Sequence, residues 1–375
     1  MKFTKVKGFN KIAGKLDNYK FVSFILSSWH LDVLYSYVLS NNLSSGIIIV
    51  LPQSDVKDLS RFRLSNENFI VDIANTDVCF IESPEFKLNI FNLIKYVSIK
   101  QKNRTILVFN PGGVNYLALS NLPISNYRIK YIQIDEGTST YLPDGKKGLL
   151  IEVSDKESKI NKMISKVKSN LKLSLYCAFN SLSSITFINS NLFVKNKSEL
   201  SINEYTANSL KSYYNNLESQ KNIYDEDSIL ILKDFDKEVL PDDQIIDMYE
   251  KMFQLLQLLG NKVYIKKHPN DLNRNFDNLI KKYAFIELLS SKYSAEVIVS
   301  KIKPVIVIGG ISTSIFTIPA IYGIKTISFM NLYKEYSGLN NRYLERINIL
   351  YELFNNIPKS LIVVNNIYEL EENIQ

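Results

Sequence analysis

Short runs of Ile, Val, Leu and Phe recur along the chain, each closed by a polar or glycine-containing turn and separated from the next by a helix-length segment. In the first half they fall at residues 21–26, 46–51, 78–81, 105–109 and 129–134; in the second, at 228–232, 262–265, 285–288, 305–308 and 326–329. Continuous apolar strands alternating with helices describe parallel sheets buried on both faces, because a sheet with one wet face would alternate apolar and polar residues. Two such series predict two α/β sheets, one in each half. A helix predicted over 242–259 supports the pattern. It follows Pro241, opens on Asp242 and Asp243, carries Ile245, Ile246, Met248, Met252, Leu255 and Leu256 at helical spacing, and stops at Gly260.

Residues 195–227 break the series with Ser, Asn, Glu, Lys and Tyr and little apolar periodicity. The expected organisation is an N-terminal Rossmann-like domain at 1–200, a linker at 201–227 and a C-terminal Rossmann-like domain at 228–375, its last helix a candidate for packing back on the first domain. Residues 159–175 stand apart. Ile160, Met163, Ile164, Val167, Leu171 and Leu175 form one stripe, with Lys159, Lys162, Lys166, Lys168 and Lys172 mostly off it. Such a basic amphipathic helix either covers the first sheet with its lysines in water or touches an anionic membrane surface.

At 375 residues the chain exceeds one ordinary core, in keeping with two domains. Its 45 Lys+Arg against 38 Asp+Glu leave a net charge of +7, a modest leaning toward anionic ligands. The lysines are not interleaved with aromatics, so nucleic-acid binding is unsupported. Cys79 and Cys177 cannot build a disulfide framework, and no apolar segment with a cleavage site follows Met1. Both features lead to the expectation of a reducing, cytoplasmic setting.

Open parallel sheets take ligands beyond the carboxyl ends of their strands, so polar residues just after each apolar run are the candidates for chemistry. Asp135-Glu136-Gly137 follows the run at 129–134; a carboxylate there suits a general base, and a solvated acidic turn explains it equally. Lys266-Lys267-His268-Pro269 follows 262–265 and offers an imidazole and point charges to an anion, or else forms a surface turn. Gly309 to Ser314, after 305–308, combines close backbone approach at Gly310 with Ser312 and Thr313 at the start of an apolar helix. That is a phosphate site or an ordinary helix cap. Glu296, in Ser294-Ala295-Glu296-Val297-Ile298, opens another helix; it complements the helix dipole or accepts ribose hydroxyls. Trp29 and His30 after the first run, and Asn115 in the loop after 105–109, could line an acceptor cleft, with packing as the simpler role for the first two. Asp225-Glu226-Asp227 precedes a strand, which is the wrong place for a metal-binding acidic motif. No Cys/His metal spacing, GxSxG or GxGxxG occurs.

In chain order these residues form a set: the acidic pair with Gly137, Lys266-x-His268-Pro269, the Glu296 helix, then Ser312-Thr313 before an apolar helix. The set resembles the bacterial sialyltransferases and polysialyltransferases of GT-B fold, over 135–137 and continuously over 228–330. The resemblance implies two Rossmann-like domains with parallel sheets facing a central cleft. It implies an inverting, metal-independent glycosyltransferase that needs no cofactor and moves sialic acid from CMP-sialic acid to a glycan hydroxyl. A capsular or lipid-linked oligosaccharide at the inner face of the plasma membrane is the expected acceptor. Asp135 would be the base; His268, with Lys266 and the turn fixed by Pro269, would meet the leaving phosphate. Ser312, Thr313 and the Gly310 backbone would bind that phosphate, and Glu296 the ribose. Glu136, Gly137, His30, Trp29 and Asn115 would lie toward the acceptor. Lys233-Asp234-Phe235 departs from the Gly-Gln-Pro-like loop expected there. The alternative is a GT-B transferase with another cytidine donor, a CDP-glycerol polymerase of the teichoic-acid type, which also carries a His-Pro motif.

Overall fold

The computed structural model describes residues 3–6, 16–25, 27–50, 77–81, 104–111, 127–134, 182–185, 188–189, 201–202, 204–216, 227–234, 239–268, 271, 273–289, 293–355 and 360–375. The chain divides into two compact units: residues 1–136 with 153–186, and residues 137–152 with 187–375.

In the first unit the described strands are β1 (Phe3–Val6), β2 (Phe21–Ile25), β3 (Gly46–Val50), β4 (Asp77–Ile81), β5 (Arg104–Pro111), β6 (Tyr127–Ile134) and β7 (Leu182–Ile185). They pair in parallel in the order β1-β4-β3-β2-β5-β6-β7. Every residue of β2 and β3 is buried, which explains their apolar sequence, broken only by Ser23. Helix α1 (Ser28–Ser40) covers β2 and β6 with Leu31, Leu34, Tyr35 and Val38. At the amino edge of the sheet polar side chains tie strands together. The Tyr19 hydroxyl donates to Asp77 at 2.5 Å, and Asp17 accepts from the Tyr127 hydroxyl while its carbonyl accepts from Arg104.

The second unit holds a short antiparallel pair, β8 (Ile188–Asn189) with β9 (Ser201–Ile202), then helix α2 (Glu204–Asn216). Its main sheet comprises β10 (Ile229–Lys233), β11 (Val263–Lys267), β12 (Ile286–Leu288), β13 (Ile306–Gly309), β14 (Lys325–Ser328) and β15 (Leu361–Val363). All pair in parallel, in the order β12-β11-β10-β13-β14-β15. The helices are α3 (Asp242–Leu259), α4 (Arg274–Ile280), α5 (Ala295–Ile302), α6 (Ser314–Tyr322), α7 (Asn341–Phe354) and α8 (Ile367–Ile374). Helix α3 buries Ile245, Met248, Tyr249, Met252, Phe253 and Leu256 and ends on Gly260 in the left-handed conformation, φ 74°. Tyr249 is ringed by Phe253, Phe276 and Phe329 at centroid distances of 4.9–6.0 Å, mostly edge to face, as aromatic quadrupoles favour.

All ten strands read from the apolar runs are present, and β1, β7 and β15 join them. Within the segment 201–227, read from sequence as a linker, residues 204–216 form α2. This helix buries Ala207, Leu210, Tyr213 and Tyr214 and packs on α5 and α6. Two buried tyrosines supply the apolar face that an aliphatic pattern does not reveal. The last helix, α8, belongs to the second unit. The expected basic helix at 159–175 lies outside the described residues.

Gly46 faces Phe21 across the β2–β3 pair, and a Cβ at position 46 would fall within the Phe21 ring. The ring is itself held edge to face by Phe109 at 5.7 Å and is fully buried. Gly46→Ala should therefore cost about 1–3 kcal/mol in a denaturant titration, the usual penalty of overpacking a closed core. Adding Phe21→Leu should return part of that loss.

Candidate active site

In the main sheet of the second unit the chain runs from β10 outward to β11 and β12, then crosses back to β13 on the other side of β10. The two crossovers leave in opposite directions, so a crevice opens where β10 and β13 end. Three segments meet along this carboxyl edge: Lys233-Asp234 after β10, Lys267-His268 after β11, and residues 309–313 between β13 and α6.

The Lys233 ammonium, in a side chain whose residue is 2% exposed, donates to the Asp234 carbonyl at 2.8 Å and lies 3.8 Å from Asp271 Oδ2. The rings of Tyr249 and Phe276 flank it at 5.3 and 5.2 Å. Asp271 also faces the Lys267 ammonium at 3.7 Å, which in turn donates to Asp277 of α4 at 2.7 Å. This buried charge network seats the His268 turn, whose backbone N–H donates to the Lys233 carbonyl at 2.8 Å and whose carbonyl accepts from Asp271 N–H at 2.9 Å. The His268 side chain is exposed at the edge. Successive residues of a strand face opposite ways, so Lys266 stands on the other face from Lys267; it is 8% exposed and its ammonium lies 3.4 Å from the Lys267 carbonyl.

Across the crevice, three contacts fix the loop after β13. The Gly309 carbonyl accepts from Phe329 N–H at 2.9 Å, the Gly310 carbonyl from the Ser328 hydroxyl at 2.7 Å, and Ile311 N–H donates to Asp234 Oδ2 at 2.6 Å. Ser312 Oγ accepts from Ser314 N–H at 3.3 Å, while the Thr313 side chain makes no capping hydrogen bond. The half-buried Ser312, Thr313 and Ser314 thus place hydroxyls at the start of α6, where an anion fits a helix N-terminus, while the N–H groups of Ile315 and Phe316 donate within the turn to the Ser312 and Thr313 carbonyls at 3.1 Å. Glu296, in the first turn of α5, is 3% exposed and accepts from the Thr317 hydroxyl of α6 at 2.7 Å; its carbonyl accepts from Tyr322 at 2.9 Å. The bonds from Glu296 tie the two helices together. Among the described residues no three His, Cys, Asp or Glu side chains converge as metal ligands would.

The expected residues Lys266, His268, Glu296, Gly310, Ser312 and Thr313 thus belong to this one unit, around the ends of β11 and β13. Asp135, Glu136, Gly137, Asn115 and Pro269 lie outside the described residues. Lys233, Asp234 and Asp271 were missing from the expected set.

A family model for alpha-2,8-polysialyltransferase (POLYST) matches residues 23–331, spanning described parts of both units and this whole carboxyl edge. The chain belongs to the alpha-2,8-polysialyltransferase family. It is accordingly a glycosyltransferase of sialyltransferase type, built on two parallel-sheet α/β units. Among curated proteins no sequence matches the chain. Similar solved structures include Staphylococcus aureus MnaA with UDP (11% identity, 90% of each chain covered, TM-score 0.45). Others are Escherichia coli heptosyltransferase WaaC with ADP (10% identity, 94% of this chain and 99% of that one, TM-score 0.43) and Methanocaldococcus jannaschii UDP-GlcNAc 2-epimerase with UDP-GlcNAc and UDP (13% identity, 94% and 91%, TM-score 0.44). Among the described residues of this family member, no helix is long and apolar enough to cross a membrane.

In the first unit the equivalent reversal of strand order lies between β2 and β5. Trp29 and His30 follow β2 in the first turn of α1, where Ser27 caps the helix by accepting from His30 N–H at 3.2 Å. His30 is 5% exposed, and burial pushes its imidazole down from 6.5 to about 3. The folded chain refuses a proton that the unfolded chain takes up below pH 6.5, so this contribution to stability is present above 6.5 and lost as pH falls toward 3. The protein should lose stability on acidification from pH 6.5 to 4 with a His30 component of up to about 1.4 kcal/mol per pH unit. Chemical denaturation across that range should show a shallower dependence in His30→Gln.

Proposed function

We propose that the protein transfers sialic acid from CMP-sialic acid to a hydroxyl of a sialylated surface glycan, extending it through α-2,8 linkages. The match to the polysialyltransferase family is the observation that carries this reading. The convergence of His268, Lys266, Ser312 and Thr313 near one strand-order reversal supports it.

In this mechanism the acceptor hydroxyl attacks the anomeric carbon of the donor sugar as the bond from that carbon to the phosphate oxygen breaks. The configuration inverts. Asp135 takes the acceptor proton, and the electron pair of the broken bond leaves on the CMP phosphate. His268 stabilises or protonates that phosphate, Lys266 adds positive charge, and the hydroxyls and N–H groups of Ser312 and Thr313 hold its oxygens. With the leaving charge met by these groups, the reaction needs no metal. General acid–base assistance of this kind is worth roughly 10²–10⁴-fold. Glu296 accepts the ribose hydroxyls, exchanging part of its bond to Thr317 for them. A capsular or lipid-linked oligosaccharide at the inner membrane face is the acceptor this reading favours.

The first test is thermal stabilisation by CMP, CDP, UDP, GDP and ADP with and without EDTA, followed by transfer assays with CMP-sialic acid. CMP should stabilise selectively and independently of EDTA, by roughly 2.7 kcal/mol at a hundred times its dissociation constant. Asp135→Ala should abolish transfer while CMP still binds, and His268→Ala should lower turnover by about 10²-fold or more. Stabilisation by UDP or GDP alone, or transfer of glycerol phosphate in place of sialic acid, would reject the donor.

A further inference from the structure

Asp234 is a buried acid with a specific partner. It stands directly after β10, is 5% exposed, and accepts Ile311 N–H at 2.6 Å from a residue 77 positions away, at the end of the neighbouring strand β13. A charged acceptor gives a backbone N–H one of its stronger hydrogen bonds. The neighbouring residue is shaped to admit the carboxylate: a Cβ on Gly310 would collide with Asp234 Oδ2 and with the Tyr333 hydroxyl. The Gly309 and Gly310 carbonyls are already taken by Phe329 N–H and the Ser328 hydroxyl. Asp234 therefore completes the fixing of three consecutive residues immediately before Ser312.

We propose that Asp234 is a positioning residue for the donor site: by holding Ile311 N–H it sets the approach of the chain to α6, and thereby the aim of the Ser312 and Thr313 groups at an anionic ligand. It also removes Ile311 N–H from the donors available to that ligand. The anion is therefore left to the next residues, Ser312 and Thr313. The inference rests on the proposed reading of Ser312 and Thr313 as phosphate donors. An acceptor atom is required at position 234, and asparagine supplies one without the charge.

The test compares Asp234→Ala and Asp234→Asn in the full chain. Hydrogen exchange at the Ile311 amide, followed in free protein by mass spectrometry of peptides covering 309–316, reads the anchor without any nucleotide. CMP affinity by calorimetry reads its effect on the site. In Asp234→Ala the Ile311 amide should exchange at least about tenfold faster and CMP should bind about 10- to 100-fold more weakly, the worth of one hydrogen bond to a charged group. Asp234→Asn should restore both readouts to within a few-fold of wild type. Should the alanine variant not fold, Gly310→Ala, whose new methyl displaces the carboxylate, should show the same accelerated exchange and weakened CMP. Unchanged exchange at Ile311 in the alanine variant overturns the anchor. An asparagine variant as impaired as alanine also overturns it, because charge and not the acceptor would then matter. Accelerated exchange in a protein whose wild type binds no cytidine nucleotide upholds the anchor and overturns the donor-site reading instead.

Discussion

The second unit is organised by one constraint: β10 is hydrogen-bonded on both sides to strands that the chain reaches by crossovers leaving in opposite directions. Right-handed crossovers place the connecting helices on opposite faces of the sheet. The carboxyl end of β10 is therefore a place where the two connections diverge. Lys233 and Asp234 occupy that place, and each reaches sideways to order a neighbouring segment. Through Asp271 and its own carbonyl, Lys233 seats the turn of His268; Asp234 seats residues 310–311 ahead of Ser312. The groups expected to meet the donor phosphate are thus arranged from a single strand end.

Burying these charges is unfavourable unless every polar atom finds a partner. The solution here mixes ion pairs with main-chain acceptors and aromatic faces. The Lys233 ammonium uses a carbonyl, a carboxylate and two rings. Between α5 and α6, the Glu296–Thr317 bond joins the two helices that α2 covers. Rigid surroundings matter where charge develops on a leaving group, because preorganised donors do not need to reorient to meet it.

The sequence made the strands legible for a physical reason: a parallel strand buried on both faces is mostly apolar, and β3 and β13 are so throughout, β2 apart from Ser23, and β10 and β11 up to the lysines at their carboxyl ends. Strand β15, with only three residues and partial exposure, and β1, with two of its four residues polar, lack that signature. Helix α2 was hidden because its buried face uses Tyr213 and Tyr214 between polar residues. His268, Ser312 and Thr313 were legible because they follow strands. Asp234 also follows one, yet no local pattern announces that its partner is a backbone N–H 77 residues distant. That pairing exists only once β10 and β13 lie side by side.

Lys233, Asp234, Lys266, Lys267 and Glu296 are each less than one-tenth exposed. Ionic groups so placed are commonly replaceable by apolar side chains of similar volume with a gain in stability. A laboratory selection for heat resistance would therefore be drawn to this edge of the second sheet, trading charge for grease. On the proposed reading of the donor site the survivors would be tougher and catalytically silent, the melting point being held down by the side chains that order that site.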